Sequence, residues 1–263
     1  MKTNLGSRLW RYFILLVVGA YLLIPLYSML DFSTKPFGGA GARTLRAWKV
    51  IPRQEDLGQA VAVSLIMATI VMLLILLLIV PTVVWVHLKL PKFIRPLELI
   101  CLIPLAIPAI VLVVGIAPLY RWISVHITES PLTLSFVYSM LVLPFTYRAL
   151  SASLSVVDIA TISEAARTLG ASTIRTIFGI VMPTIRSGVM SGAVISIALV
   201  LGEYTISSLL NYKTLQVVIF LIGKDDGNVA VAVSLASLLF VFLLLFVIPT
   251  TKAPKTLPEE QVV

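Results

Sequence analysis

Residues 57–86 read LGQAVAVSLIMATIVMLLILLLIVPTVVWV, a run that carries no charged side chain. A bilayer core about 30 Å thick is crossed by about 20 apolar residues in helical conformation. The run is therefore a membrane helix, with length left over for tilt or for a non-spanning turn. It is continuous, whereas strands of a transmembrane barrel alternate apolar and polar positions. Five further stretches follow the same reading: Tyr12 to Leu30, Leu99 to Tyr120, Pro131 to Tyr147, Ser187 to Tyr212 and Gly227 to Thr251. Among them only Ser187 to Tyr212 contains a charge, Glu203. The expected fold is all-α, a polytopic membrane protein of about six transmembrane helices forming a single domain over 1–263.

Composition agrees. The chain has 263 residues, 59% hydrophobic and 12% charged, and a mean hydropathy of +1.05. A soluble domain is about 25% charged, so a soluble enzyme is excluded. The first apolar stretch is longer than the core of a signal peptide, and Ile24-Pro25-Leu26 offers no small-residue cleavage site. It is read as a retained helix. The single cysteine, Cys101, sits in an apolar run and permits no internal disulfide.

The net charge of +8 reads first as topology. With the N-terminus inside, the cytoplasmic segments hold Lys2, Arg8, Arg11, Lys89, Lys92, Arg95, Arg148, Arg167, Arg175, Arg186, Lys252 and Lys255. The opposite side holds Arg121, Lys213 and Lys224, together with Lys35, Arg43, Arg46, Lys49 and Arg53 in one long loop. Both termini are therefore expected in the cytoplasm, and the crowded first loop is the counter-signal. Pro104, Pro108 and Pro118 predict a bent third helix, as a pore wall or a packing kink. Gly188-Val-Met-Ser-Gly192 has the small-residue spacing that lets two helices approach closely.

The segment from Arg148 to Arg186 is polar enough to leave the membrane and yet periodic. Ile162, Ala165, Ala166 and Leu169 fall at i, i+3, i+4 and i+7, one face of a helix. Thr161-Ile-Ser-Glu164 has capping-box spacing, Gly170 supplies a stop, and Ser172 is placed to cap the next turn. The reading is a short surface helix, a sharp turn and a second helix ending near Pro183. Its narrow, alanine-rich stripe suits a protein groove better than lipid headgroups.

Glu164-Ala165-Ala166-Arg-Thr-Leu-Gly170, nine residues, then Ile180-Val-Met182-Pro183 resembles the EAA motif of permease subunits of ATP-binding-cassette importers. Only the leucine before the proline differs, and Met182 replaces it at similar volume. The resemblance implies a MetI-like type I importer permease fold, with a core over about 57–251 and a cytoplasmic coupling loop over 156–183. It implies that Ile162, Glu164, Ala165, Ala166, Arg167, Leu169, Gly170 and Pro183 couple the chain to two separate ATPase subunits. It also implies a second permease subunit, identical or homologous, and an extracellular or periplasmic solute-binding protein, in the inner membrane of a bacterium. Glu164 is read equally as a cap and as a partner for a basic group on the ATPase. Arg167 and Arg175 are candidates for ionic contacts there, or for solvent and headgroups.

The chain has no GxxxxGK[ST] phosphate loop, so ATP is expected on the partner and no cofactor on this chain. No nucleophile elbow, paired-carboxylate motif or metal-ligand spacing is present; His87 and His126 fall in different loops. Catalytic and metal residues are none, and no nucleic-acid partner is expected; membrane lipid is. An ionisable residue in a span usually faces a polar path or a bundle interior, which makes Glu203 and its neighbour Tyr204 the candidates for the substrate path. The alternative for Glu203 is a structural ion pair or exposure near the outer interface. The stretch from Leu201 to Leu210 resembles permeases of the polyamine and aminoethylphosphonate group, which implies a small cationic or zwitterionic solute. Sugar, inorganic anion and ferric-ion importers, or a stand-alone carrier or channel, remain the alternatives.

Overall fold

A computed structural model describes residues 5–36 and 41–247. Readings that concern Lys2, Lys252, Lys255 and the C-terminal tail lie outside these residues. In chain order the helices are α1 (Leu5–Ser33), α2 (Arg46–Val50), α3 (Leu57–Lys89), α4 (Ile94–Ala106), α5 (Ala109–His126) and α6 (Ser135–Leu154). They continue with α7 (Ile159–Thr168), α8 (173–184), α9 (Arg186–Gly202), α10 (Thr205–Leu209), α11 (Leu215–Asp225) and α12 (Gly227–Val247). No β-strand occurs among the described residues.

Within the described residues the apolar stretches become helical, but two of them break: Ser187 to Tyr212 at Glu203-Tyr204, between α9 and α10, and Leu99 to Tyr120. The stretch from Leu99 to Tyr120 is not a single bent helix; it breaks at Ile107-Pro108 into α4 and α5. Pro108 has no N–H to continue α4, and its ring drives the preceding Ile107 into extended backbone (φ −97°, ψ 116°). Pro104 and Pro118, by contrast, sit inside helices without ending them. The stretch from Pro131 is longer than its apolar run: a 3-10 turn, Pro131–Leu134, leads into α6 and on to Leu154. There the chain bends by 69° into α7.

The described residues divide into two compact units, one of 5–36 and 41–58 with 217–243, the other of 59–216. In the first unit α1 is apolar and largely exposed from Leu9 to Leu30, with Gly19, Ala20, Leu26 and Met29 partly covered, as a helix in an apolar medium is. The loop after it is tied down by charge. Asp31 pairs with Lys35 at 3.2 Å and with Arg43 at 2.5 Å, and Arg46 Nη1 donates to Asp226 Oδ2 at 2.8 Å. Asn228 Nδ2 donates to the carbonyls of Phe32 (2.8 Å) and Lys35 (3.2 Å), and Trp48 Nε1 donates to Ser33 Oγ (3.0 Å). Three of the basic residues that crowd this loop are thus paired within the unit, against two carboxylates.

In the second unit α6 and α9 pack closely. Gly188 and Gly192 of α9 lie against Ser153, Ala149 and Thr146, spaced along one face of α6. The GxxxG pattern therefore serves a helix of the same chain. Beneath α7 a core gathers Val80, Val83 and Val84 of α3, Tyr147, Leu150 and Leu154 of α6, and Ile159 of α7. Ile177, Val181 and Ile185 close it from the α8 side.

Both helices that flank this core are interrupted in the same way. A π segment spans Ile75–Ile79 in α3 and Ile177–Val181 in α8. Each precedes a Pro-Thr pair by one residue: Pro81-Thr82 and Pro183-Thr184. A proline removes the donor that the carbonyl four residues back would use, and its ring crowds that carbonyl. The wider π turn accommodates both effects. The threonine then donates its hydroxyl to a carbonyl inside the bulge, Thr82 to Leu78 (2.6 Å) and Thr184 to Ile180 (2.8 Å).

Candidate functional site

The segment that the sequence marks as the coupling loop is built around α7. Its N-terminus is capped by Asp158, not by Thr161. Asp158 Oδ1 accepts from the Thr161 amide at 3.1 Å, and Oδ2 accepts from the Thr161 hydroxyl at 2.7 Å. The expected capping box over Thr161 to Glu164 is thus corrected: the cap lies three residues earlier, at Asp158, and the helix begins at Ile159, which puts Thr161 inside its first turn. An acidic cap three residues before a threonine that bonds back was the missed signal. The Thr161 hydroxyl, helped by its amide, holds the Asp158 carboxyl below the usual carboxylate range.

The C-terminus closes in a Schellman motif. The Gly170 amide donates to Arg167 (2.9 Å) and the Ala171 amide to Ala166 (3.0 Å). Gly170 stands at φ +81° with no atom within 4 Å of where a Cβ would be. Its role is therefore set by backbone dihedrals, not by crowding. Ser172 then caps the next turn, its hydroxyl accepting from the Arg175 amide at 3.3 Å.

The burial pattern revises the expected apolar face. Ile159, Ser163 and Ala166 are buried, with Ile162 half-buried against the body of the unit. Ala165 and Leu169 point outward, Leu169 with 88% of its surface exposed. Glu164 and Arg167 are exposed beside them, and so are Val156 and Ile174 at either end. Pro183 lies two residues beyond the π segment of α8 and is exposed. A short helix fixed at both ends thus rests on a packed core and presents an apolar knuckle outward.

Glu203 is not inside a helix. α9 ends at Gly202, and Glu203 takes extended backbone (φ −80°, ψ 127°) before α10. Its carboxylate accepts from the amides of Ile206 (2.8 Å) and Ser207 (3.4 Å) and from the hydroxyl of Tyr138. Tyr138 also shares a hydrogen bond with the Ser207 hydroxyl. One side of Glu203 and Tyr138 borders a cleft of about 170 Å³ whose other walls include Leu105, Phe145 and Leu199. The break at Ile107-Pro108 lies just beyond the Pro104 and Leu105 wall. Tyr204, half-buried at the start of α10, is not among the residues lining this cleft.

Residues 88–250, more than half the chain, match a family model described as the binding-protein-dependent transport system inner membrane component. The chain belongs to this family. Against curated proteins no match is found. The permease is thus a membrane-embedded transport component of an ATP-binding-cassette system, a family that works with ATPase and binding-protein partners and is not itself catalytic. The sequence named Glu203 of this permease but missed Tyr138, because a partner 65 residues away leaves no local pattern; Ser207, four residues on, was missed because Glu203 was read as lying inside a helix and not as capping one.

Proposed function

We propose that α7 is the element through which separate ATPase subunits drive this permease. The observation that carries the proposal is the pairing of a helix fixed at both ends with an outward apolar surface at Ala165, Leu169 and Ile174. Exposed Leu169 at the C-terminal end of α7 and Ile174 at the start of α8, flanked by polar residues, suit a protein groove. Glu164 and Arg167 beside them would contribute charge pairing at the rim. The buried face, through Ile159 and Ala166, would pass a push on α7 into the core between α3, α6 and α8.

In this reading the EAA pattern is the coupling loop, the loop and both termini face the cytoplasm, and a second permease subunit completes the path. The solute is a small cationic or zwitterionic organic molecule such as a polyamine. Glu203 and Tyr204 mark the path near the outer end. Support for Glu203 is its position at the rim of the apolar cleft, with a carboxylate that also holds α10 in place.

The coupling proposal is tested with the complete importer in proteoliposomes. Leu169→Asp and Gly170→Arg should abolish solute-stimulated ATP hydrolysis and co-purification of the ATPase. Normal association and uptake in both would sink it. For the path, Glu203→Gln should assemble but take up labelled putrescine more slowly; unchanged uptake removes Glu203 from the path.

A further inference from the structure

At the end of α6 opposite α7 the second unit carries an open polar cleft of about 480 Å³. α6 has 20 residues, so the two ends lie about 30 Å apart at 1.5 Å per residue. Arg121 and Ser124 of α5, Glu129 of the following loop, and Asn211 and Tyr212 after α10 line it, with Tyr120 behind. The guanidinium of Arg121 and the carboxylate of Glu129 form no ion pair with each other or with any other described residue.

Both walls are fixed in place. On one side the Thr128 amide donates to Ile123 (3.0 Å) and the Tyr120 hydroxyl to the Thr133 carbonyl (2.8 Å), which secures the loop bearing Glu129. On the other side α10 ends in a Schellman motif. Tyr212 donates to Ser207 (2.9 Å) and Asn211 to Ser208 (3.2 Å), with Asn211 in the left-handed region at φ +61°. Opposite charges held on a secured frame, each without an internal partner, make a receptor for a ligand that carries both signs. A guanidinium takes a phosphonate, phosphate or carboxylate through two parallel N–H bonds, and a carboxylate takes an ammonium group.

The geometry points to this cleft as a binding site for a small zwitterion, an anionic oxygen group on Arg121 and an ammonium on Glu129. It rests on the transport reading above for its use, as a recognition point at the mouth of the path farthest from α7, and it narrows the solute from cationic or zwitterionic to zwitterionic. The same chemistry occurs in a phosphatidylethanolamine headgroup, and the test separates the two sources.

Trp122 lies beside Arg121 on a neighbouring surface depression, so its fluorescence reports on occupancy, with Trp122→Phe as the blank. The complete importer in dodecyl maltoside is titrated with 2-aminoethylphosphonate, with methylphosphonate (anion only) and with putrescine (cation only). Saturable, Trp122-dependent binding of 2-aminoethylphosphonate is expected. Arg121→Gln and Glu129→Gln should each weaken it about tenfold, the loss of one charge-assisted contact. Methylphosphonate should respond only to Arg121→Gln and putrescine only to Glu129→Gln. Arg121→Lys, which keeps the charge but loses the fork, should fall between. In phosphatidylethanolamine nanodiscs, loss of the response assigns the site to the headgroup, and persistence assigns it to the solute. No saturable response to millimolar 2-aminoethylphosphonate, or wild-type affinity retained in either Gln variant, overturns the proposal. Because this binding needs no ATPase docking, it stands or falls separately from Leu169→Asp and Gly170→Arg.

Discussion

Gly188 lies so close to Ser153 that a Cβ on it would sit 2.6 Å from the serine Cβ and 2.9 Å from the Ala149 carbonyl oxygen. Real Cβ atoms do not approach other atoms so closely, and a backbone carbonyl has little room to retreat. Gly188→Leu should lower the thermal midpoint of the purified permease, by the equivalent of about 1–3 kcal/mol or more for overpacking. Gly58→Ala, where no atom lies within 4 Å, should cause no loss. Equal midpoints for the two variants would show that α6 and α9 do not pack as described.

Gly170 and Asn211 solve the same problem at two helix ends. Both occupy the left-handed region, at φ +81° and +61°. Gly170→Ala should cost about 1–2 kcal/mol, the price of that conformation for a side chain that cannot bond locally, while Gly170→Asn should cost less. Amide exchange at Gly170 and Ala171 is the direct measure. Faster exchange in Ala than in Asn is expected; the reverse order would mean that space, not dihedral angle, governs the site.

The Asp158 cap has a pH signature. Its folded pKa lies below its unfolded value because Thr161 bonds the charged form. Its contribution is therefore fully present above the unfolded value of about 4 and is lost as pH falls through the lower folded value. Protection of the Thr161 amide should decline over that acidic window in the wild type. In Asp158→Asn protection should be weaker at neutral pH and flat across the window.

The two π segments should both answer to their prolines. Pro81→Ala and Pro183→Ala each restore a donor one turn after Leu77 and Gly179, so each helix should relax toward regular α geometry and gain up to about 1 kcal/mol. Spin-label distances across each bulge should shorten or lengthen with the change in register. Unaltered distances in both variants would show that the bulges have another cause.

Much of this was legible in the chain because its decisive signals are local. Runs of apolar residues give helices, Gly170 and Ser172 give a stop and a cap, and glycines at four-residue spacing give a close approach. What stayed hidden depends on distant partners or on competition between neighbours. The outward face of α7 could not be read from spacing alone, since Ala165 and Ala166 look alike and only the core under Ile159 decides which is covered. The break at Ile107-Pro108 was masked because Pro104 and Pro118, equally visible, are absorbed. Tyr138 meets Glu203 only after two helices pack.

The ties of Arg46 to Asp226 and of Asn228 to Phe32 and Lys35 join segments separated by 180 to 196 residues. At roughly 5–20 residues per second of synthesis, Phe32 waits on the order of 10–40 s before Asn228 leaves the ribosome. During that interval the loop after α1 carries its basic side chains without the carboxylate of Asp226. The chain is thus most basic on this loop while it is being inserted, and it loses part of that charge only when the last helices arrive to latch it.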